Sequence, residues 1–204
     1  WSVWWCGRAW ASSLLDGLAL IVECQDGQKE SGGAGVDRRL DEVGRKCTGK
    51  WSLRQAAARS GALPPVGAPL DARFLSGLKD ERVAAEKVYV DAGLAPADAA
   101  IPALSDEEKQ ALVDDVRAAL YASKICSYAQ GMNLIRAKSL EQGWDLDLGE
   151  MARIWKGGCI IRARFLDRIK QAYDRDAALP SLLVDGEFAA ELVARNDGWR
   201  RVVT

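Results

Sequence analysis

The stretch IWKGGCIIR, residues 154–162, lies at the centre of an extended apolar pattern. Apolar side chains recur at helical spacing around it, at Met151, Trp155, Phe165, Leu166, Ile169 and Tyr173. Residues 159–161 are apolar on nearly every side of a helix, which favours burial between other helices. Gly157 and Gly158 each cost a helix about 1 kcal/mol relative to alanine, and we expect them to allow another helix to approach closely. The pattern predicts one long helix over residues 148–174.

A second long helix is predicted just before this one. Ser105 and Glu108 have the spacing of a capping box, in which each side chain binds the backbone N–H of the other residue. Apolar residues then continue at helical spacing to Gln142, and Gly143 is a typical helix end. No segment alternates apolar and polar residues as a strand does. The predicted fold class is therefore all-α, with two long helices, 105–142 and 148–174, packed against each other.

Four shorter helices are predicted from capping residues and helix formers, over residues 51–59, 70–78, 81–92 and 187–203. Thr48 is a typical N-cap for the first. Pro64-Pro65 is expected to break the chain, and Pro69 to open the second helix. Gly93 is expected to end the third. Residues 96–104 are predicted to form a loop.

The composition excludes several function classes. The chain has 204 residues with a net charge of −1, so no overall field favours nucleic acid or an anionic membrane. No apolar run approaches the roughly 18 residues of a membrane-spanning helix. With no histidine and five scattered cysteines, neither a Ser-His-Asp arrangement nor a zinc site is expected. An intracellular, reduced protein fits this cysteine usage best.

Residues 1–35 differ in composition from the rest of the chain. Four of the eight tryptophans fall in the first ten residues, and Ser31–Gly35 reads as a flexible linker. We expect this segment to be poorly ordered and residues 36–204 to form the domain. The alternative is that the tryptophans form a patch for a partner or a membrane surface.

Gly44–Lys50 spells G-x-x-x-x-G-K, the start of a phosphate-binding P-loop. Trp51 stands where serine or threonine should bind magnesium, and the preceding residues are polar and helical rather than a buried strand. The P-loop interpretation is therefore rejected.

Two cationic residues, Lys124 and Arg162, lie within otherwise apolar segments. Contact with a ligand is one interpretation. Buried ion pairing, or extension of the charged end to solvent, is the favoured one.

Three stretches together resemble one enzyme family. Residues 154–162, the run ALYASKICSYAQG at 119–131 and KCTGKWS at 46–52 are similar to the helical C-terminal domain of decarboxylating 6-phosphogluconate dehydrogenases. The similarity covers residues 37–204. In that family a K-G-T-G-K-W segment and an arginine in A-R-x-L-S contact the phosphate of 6-phosphogluconate. The matching positions here are Lys46, Thr48 and Arg73, and Cys47 departs from the family's glycine.

The resemblance implies a fragment of an enzyme that oxidises 6-phosphogluconate to ribulose 5-phosphate with NADP. The fragment would supply the wall around the substrate phosphate and the interface of a homodimer. The family's catalytic lysine and glutamate and its coenzyme domain precede the matched region, and its C-terminal tail is not matched. This chain alone is therefore predicted to be inactive. Its expected location is the cytoplasm, or a plastid in a plant or alga.

One alternative function stands beside this interpretation. The chain would then be a non-catalytic helical dimerisation module from a degenerate or truncated gene. Binding of substrate separates the two hypotheses.

Overall fold

The computed structural model describes residues 48–94 and 104–203. Within these ranges the chain is helical and contains no β-strand, which confirms the all-α prediction. The helices are α1 (Thr48–Ala58), α2 (Pro64–Ser76), α3 (Lys79–Asp91), α4 (Asp106–Gln142), α5 (Leu148–Ile154), α6 (Phe165–Arg175) and α7 (Gly186–Val203), and a short 3-10 helix (Leu182–Val184) precedes α7. The predictions for residues 1–35, for the domain boundary at residue 36 and for most of the loop 96–104 lie outside the described residues.

Helix α4 has the bounds and the caps that the sequence predicts. The N–H of Ser105 donates to the Glu108 carboxylate at 2.8 Å, and the N–H of Glu108 donates to Ser105 Oγ at 3.2 Å. At the other end Gly143 has a φ of 64°, and the N–H of Trp144 donates to the Ser139 carbonyl at 3.0 Å. This left-handed glycine and its hydrogen bond are the usual way in which a helix is terminated.

Helix α3 ends in the same way, as predicted. Gly93 has a φ of 95°, and the N–H of Leu94 donates to the Tyr89 carbonyl at 2.9 Å. Glycine adopts this backbone conformation without a steric penalty.

The prediction for the two prolines before Val66 is wrong. Pro64 begins α2 instead of breaking the chain, and Pro69 lies inside the helix. Proline is tolerated in the first turn because the N–H groups there have no intrahelical acceptor. Thr48 is the first helical residue of α1, three positions before the predicted start at Trp51.

The prediction of one long helix over residues 148–174 is also wrong. Helix α5 ends at Ile154 and α6 begins at Phe165. Gly158 has a φ of 100°, a conformation that glycine favours and a continuing helix excludes. The expected close approach of another helix is missing, since no described atom lies within 4 Å of a Cβ placed on Gly158. Of the residues predicted to be buried here, Cys159 is half-buried, whereas Ile160 and Ile161 are exposed, Ile160 to 93%.

Side-chain contacts to α6 and α4 hold this connecting segment. Lys156 Nζ lies 2.6 Å from the Asp167 carboxylate, and the Tyr128 hydroxyl donates to the Ile161 carbonyl at 3.4 Å. Trp155 is partly buried and packs against the core, as expected for a residue of the apolar pattern.

The described residues divide into two compact units. The first comprises residues 68–94, 104–119 and 197–203. Its buried cluster joins Val116 and Ala119 of α4 to Val202 of α7. Arg201 forms a bidentate pair with Asp115, with both N···O distances at 2.6 Å.

The second unit comprises residues 48–67 and 120–196. Its larger core contains the predicted apolar face of residues 165–173, with Leu166 and Ile169 fully buried. Phe165 contacts Phe188 with ring centroids 5.5 Å apart. This cluster is the main apolar core of the unit. The apolar area that it removes from water stabilises the fold.

Asp185 fixes the start of α7 beside this core. Its carboxylate accepts the N–H groups of Glu187 and Phe188 at 3.2 Å each, and Arg175 lies 2.7 Å away. Burial by itself raises the pKa of Asp185, but the hydrogen bonds from Arg175 and the backbone outweigh it and hold the pKa below its usual value. The cap therefore stays ionised in mildly acidic solution.

Two helical glycines give a matched test of packing. A Cβ at Gly198 would lie 3.0 Å from Asp115 Oδ1 and 3.1 Å from the Ala118 Cβ, whereas a Cβ at Gly131 meets nothing within 4 Å. We expect Gly131→Ala to stabilise the chain by about 1 kcal/mol through helix propensity. Gly198→Ala has the same propensity gain but overpacks the contact by about 1–3 kcal/mol. Urea denaturation of both variants measures the difference, and equal stabilisation would contradict the tight packing at Gly198.

Candidate functional site

Thr48 lies at a cleft of about 290 Å³ within the second unit. Helix α1 and the residue after it contribute one wall and α4 the other, with lining residues Thr48, Trp51, Ser52, Gln55, Arg59, Leu134, Ile135 and Lys138. The side chain of Trp51 is 61% exposed. The Ser52 hydroxyl donates to the Thr48 carbonyl at 3.1 Å, within the first turn of α1.

The Glu141 carboxylate pairs with both cations of this cleft, Arg59 and Lys138. Arg59 Nε lies 2.6 Å from Glu141 Oε2, and Lys138 Nζ lies 2.8 Å from Glu141 Oε1. The hydrogen bond from Lys138, followed by that from Arg59, holds the pKa of Glu141 below its usual value, although burial acts in the opposite direction. Glu141 therefore stays ionised and neutralises part of the positive charge of the cleft.

The chemistry of the cleft is that of a binding surface. It offers hydroxyl groups at the N-terminal end of α1, where the helix dipole favours negative charge, and two cations at its other end. Nothing in this set resembles a nucleophile activated by a neighbouring base. The accessible lining of the cleft is mainly apolar, and both cations are already paired with Glu141.

The structure describes two of the three residues predicted to contact a phosphate. Thr48 is exposed in the first turn of α1, in the second unit. Arg73 is half-buried in the last turn of α2, in the first unit. Lys46 and the departing residue Cys47 lie outside the described residues. The convergence of Lys46, Thr48 and Arg73 on one cleft stays a prediction.

The other cations singled out from the sequence have structural contacts. Lys124 is exposed, and its Nζ lies 5.3 Å from the centroid of the Phe165 ring, a cation–π distance. Arg162 is exposed and donates to the Cys159 carbonyl at 3.4 Å. The favoured interpretation, buried ion pairing or extension of the charged end to solvent, holds for both residues in its second form, because both are exposed.

The described residues do not fit a dinucleotide cofactor or a metal. A Rossmann-type pyrophosphate site needs a strand, a glycine-rich turn and a helix, and residues 48–94 and 104–203 include no strand. The same ranges contain no group of three or more metal-ligating His, Cys, Asp or Glu residues. No described helix has the length and apolar character needed to cross a bilayer.

Sequence reasoning missed the Arg59–Glu141–Lys138 network. Lys138 and Glu141 have the i, i+3 spacing of a helix-surface pair, and that signal was available. Arg59 comes from a distant part of the chain, so only the packing of α1 beside α4 brings it to Glu141.

Comparison with known proteins gives consistent matches over most of the chain. The family model of the 6-phosphogluconate dehydrogenase C-terminal domain matches residues 3–204, which include most of the segment 1–35. The chain is 62% identical over 181 residues to 6-phosphogluconate dehydrogenase, decarboxylating 2, of Arabidopsis thaliana, covering 87% of this chain and 36% of the relative. It is 60% identical over 194 residues to decarboxylating 1 of Spinacia oleracea, covering 93% and 39%.

A chloroplastic relative and a solved structure agree with these matches. Decarboxylating 3, chloroplastic, of Arabidopsis thaliana is 64% identical over 168 residues, covering 82% of this chain and 34% of the relative. The Plasmodium falciparum 6-phosphogluconate dehydrogenase, solved in its apo form and with NADP+ and 6-phosphogluconate, superposes with a TM-score of 0.75 at 36% identity. The match covers 97% of this chain and 42% of that one. The chain thus spans between 34% and 39% of the length of these curated relatives.

Proposed function

The chain belongs to the family of 6-phosphogluconate dehydrogenases, whose C-terminal domain it matches, and we propose that it forms the wall that binds the substrate phosphate. The enzyme in question is the NADP-dependent, decarboxylating one, which converts 6-phosphogluconate to ribulose 5-phosphate. The observation that carries the proposal is the family match over residues 3–204, because it includes Lys46, Thr48 and Arg73.

Each of the three residues has a chemical role in this proposal. Lys46 supplies a point charge, Thr48 a hydroxyl donor, and Arg73 a planar fork that pairs with two phosphate oxygens. A well-made charge-assisted hydrogen bond contributes about 1.5–3 kcal/mol. Water and salt around an open cleft reduce that contribution, so we expect the chain alone to bind weakly. Cys47 adds strain if the family's glycine adopts a positive φ.

The oxidation and decarboxylation belong to other residues in this proposal. The described residues offer no dinucleotide site, so NADP is held elsewhere in the enzyme. In the family, the catalytic lysine and glutamate also precede the K-G-T-G-K-W segment. The role left to this chain is to bind and orient the substrate by its phosphate.

We also propose that the chain forms a homodimer through its helical domain. Helix α3 has no buried residue, and Val83 and Val90, which share one face of it at i, i+7 spacing, are 56% and 38% exposed. An exposed apolar surface on a helix supports an interaction with another chain. The cytoplasm or a plastid is the proposed location, and some relatives are named as chloroplastic.

Calorimetric titration of the 204-residue chain with 6-phosphogluconate and with gluconate tests the proposed function. We expect weak, salt-sensitive binding of 6-phosphogluconate and no measurable binding of gluconate, since only the former carries the phosphate. The absorbance of NADPH, followed with 6-phosphogluconate and NADP present, should not rise. Equal binding of both sugars, or of neither, would contradict the phosphate wall and favour the dimerisation module. NADPH production would show that the chemistry is not located elsewhere.

A further inference from the structure

Helix α1 carries Thr48 at its first position but has little apolar area to hold it in place. It has 11 residues, and only Ala56 is buried. An isolated helix of this length is marginal in water, so its orientation depends on what fastens it to the rest of the unit. Leu53 lies beside Gly67, with its Cδ2 3.5 Å from the place where a Cβ on Gly67 would stand.

An ion pair between Arg59 and Glu141, with Nε 2.6 Å from Oε2, links the C-terminal end of α1 to α4. The Arg59 side chain directly follows the last residue of α1 and is only 13% exposed. Its guanidinium also donates to the Gln55 carbonyl at 3.1 Å, which fixes it against the last turn of α1. Lys138 holds the other oxygen of Glu141 at 2.8 Å, so the acceptor is fixed as well. Because the Arg59 side of this ion pair is largely buried, solvent screens it less than a fully exposed surface pair.

The Arg59–Glu141 pair holds the C-terminal end of α1, so a small tilt of the helix there displaces Thr48 at the other end. At a rise of about 1.5 Å per residue, α1 is roughly 16 Å long. A tilt of about 10° around its C-terminal end therefore moves Thr48 by roughly 3 Å. A binding group must be held to within about 0.5 Å of its productive position. Small changes at Arg59 are thus amplified at the far end of the helix.

We infer that Arg59, through its pair with Glu141, is a positioning residue that orients α1 and with it the phosphate-binding Thr48. The inference rests on the proposed function for its ligand. Arg59 does not contact the phosphate. It acts by fixing the helix whose first turn does.

Four variants of the full chain test this inference: Arg59→Ala, Glu141→Gln, their double variant, and Arg59→Lys. Arg153→Ala is the matched control, because it removes another Arg–Glu pair of the same unit, with Glu150. The readouts are the affinity for 6-phosphogluconate and the amide hydrogen exchange of α1. Circular dichroism checks that every variant is folded.

We expect Arg59→Ala and Glu141→Gln each to weaken binding of 6-phosphogluconate about 5- to 10-fold and to speed exchange in α1. The double variant should be no worse than either single one, because both act through the same link. Arg59→Lys should recover part of the loss, and Arg153→Ala should change neither readout. Unchanged exchange in α1 after Arg59→Ala overturns the inference. Faster exchange in a chain whose native form does not bind 6-phosphogluconate supports the orienting role and overturns the proposed function instead.

Discussion

Replacing Phe188 with alanine is expected to lower the free energy of unfolding by about 3–5 kcal/mol. The ring is 1% exposed in the core of the second unit, contacts Phe165 at 5.5 Å between centroids and lies 5.1 Å from the Arg168 guanidinium carbon. Its removal leaves a cavity that the surrounding helices fill only in part, so the cost exceeds the transfer free energy of the ring.

The control for this prediction lies on the same helix. Val193 is 77% exposed, and Val193→Ala should change stability by no more than about 0.5 kcal/mol. Urea unfolding followed by far-ultraviolet circular dichroism measures both variants. Similar midpoints for the Phe188 and Val193 variants would show that the core of the second unit is not built around Phe188.

Replacing Arg73 with alanine is expected to abolish the phosphate-dependent binding of 6-phosphogluconate. Arg73 is the only one of the three proposed phosphate contacts that can pair with two oxygens at once. Arg73→Lys should retain part of the affinity, because it keeps the charge but loses the planar fork. Titration of the two variants beside the native chain measures the effect. A native affinity in Arg73→Ala would remove Arg73 from the site.

The helix ends were predictable where the signal is local. Ser105 and Glu108 cap α4 with their own side chains, and Gly93 and Gly143 end helices by a backbone conformation that glycine favours. All the atoms involved lie within a few residues of one another. Reading the sequence alone is sufficient for such features.

The break between α5 and α6 was not predictable in the same way. The apolar residues 159–161 suggested burial, but Gly158 turns the chain and Ile160 faces solvent. The segment is held by Asp167, in the first turn of α6, and by Tyr128, which lies 33 positions before its partner Ile161. The glycine pair was the correct local signal. It was outweighed by an apolar pattern in which Ile160 and Ile161 prove to be exposed.

The residues of the candidate site also differ in whether the local sequence predicts them. Thr48 was placed at the start of a helix, and the structure has it there within one helical turn. Arg59 and Glu141 were missed because each alone looks like a surface charge, and only the packing of two helices makes them a pair. Arg73 was identified by family resemblance and not by any geometric signal.

The central claim is that Lys46, Thr48 and Arg73 hold one phosphate, and nuclear magnetic resonance of the labelled chain tests it most directly. Titration with 6-phosphogluconate should shift the amide signals of Lys46 and Thr48 and the side-chain Nε–H of Arg73 together, along one saturation curve. Gluconate should shift none of them. If Thr48 responds while Arg73 does not, or if neither responds, the three residues do not form a phosphate site and the claim fails.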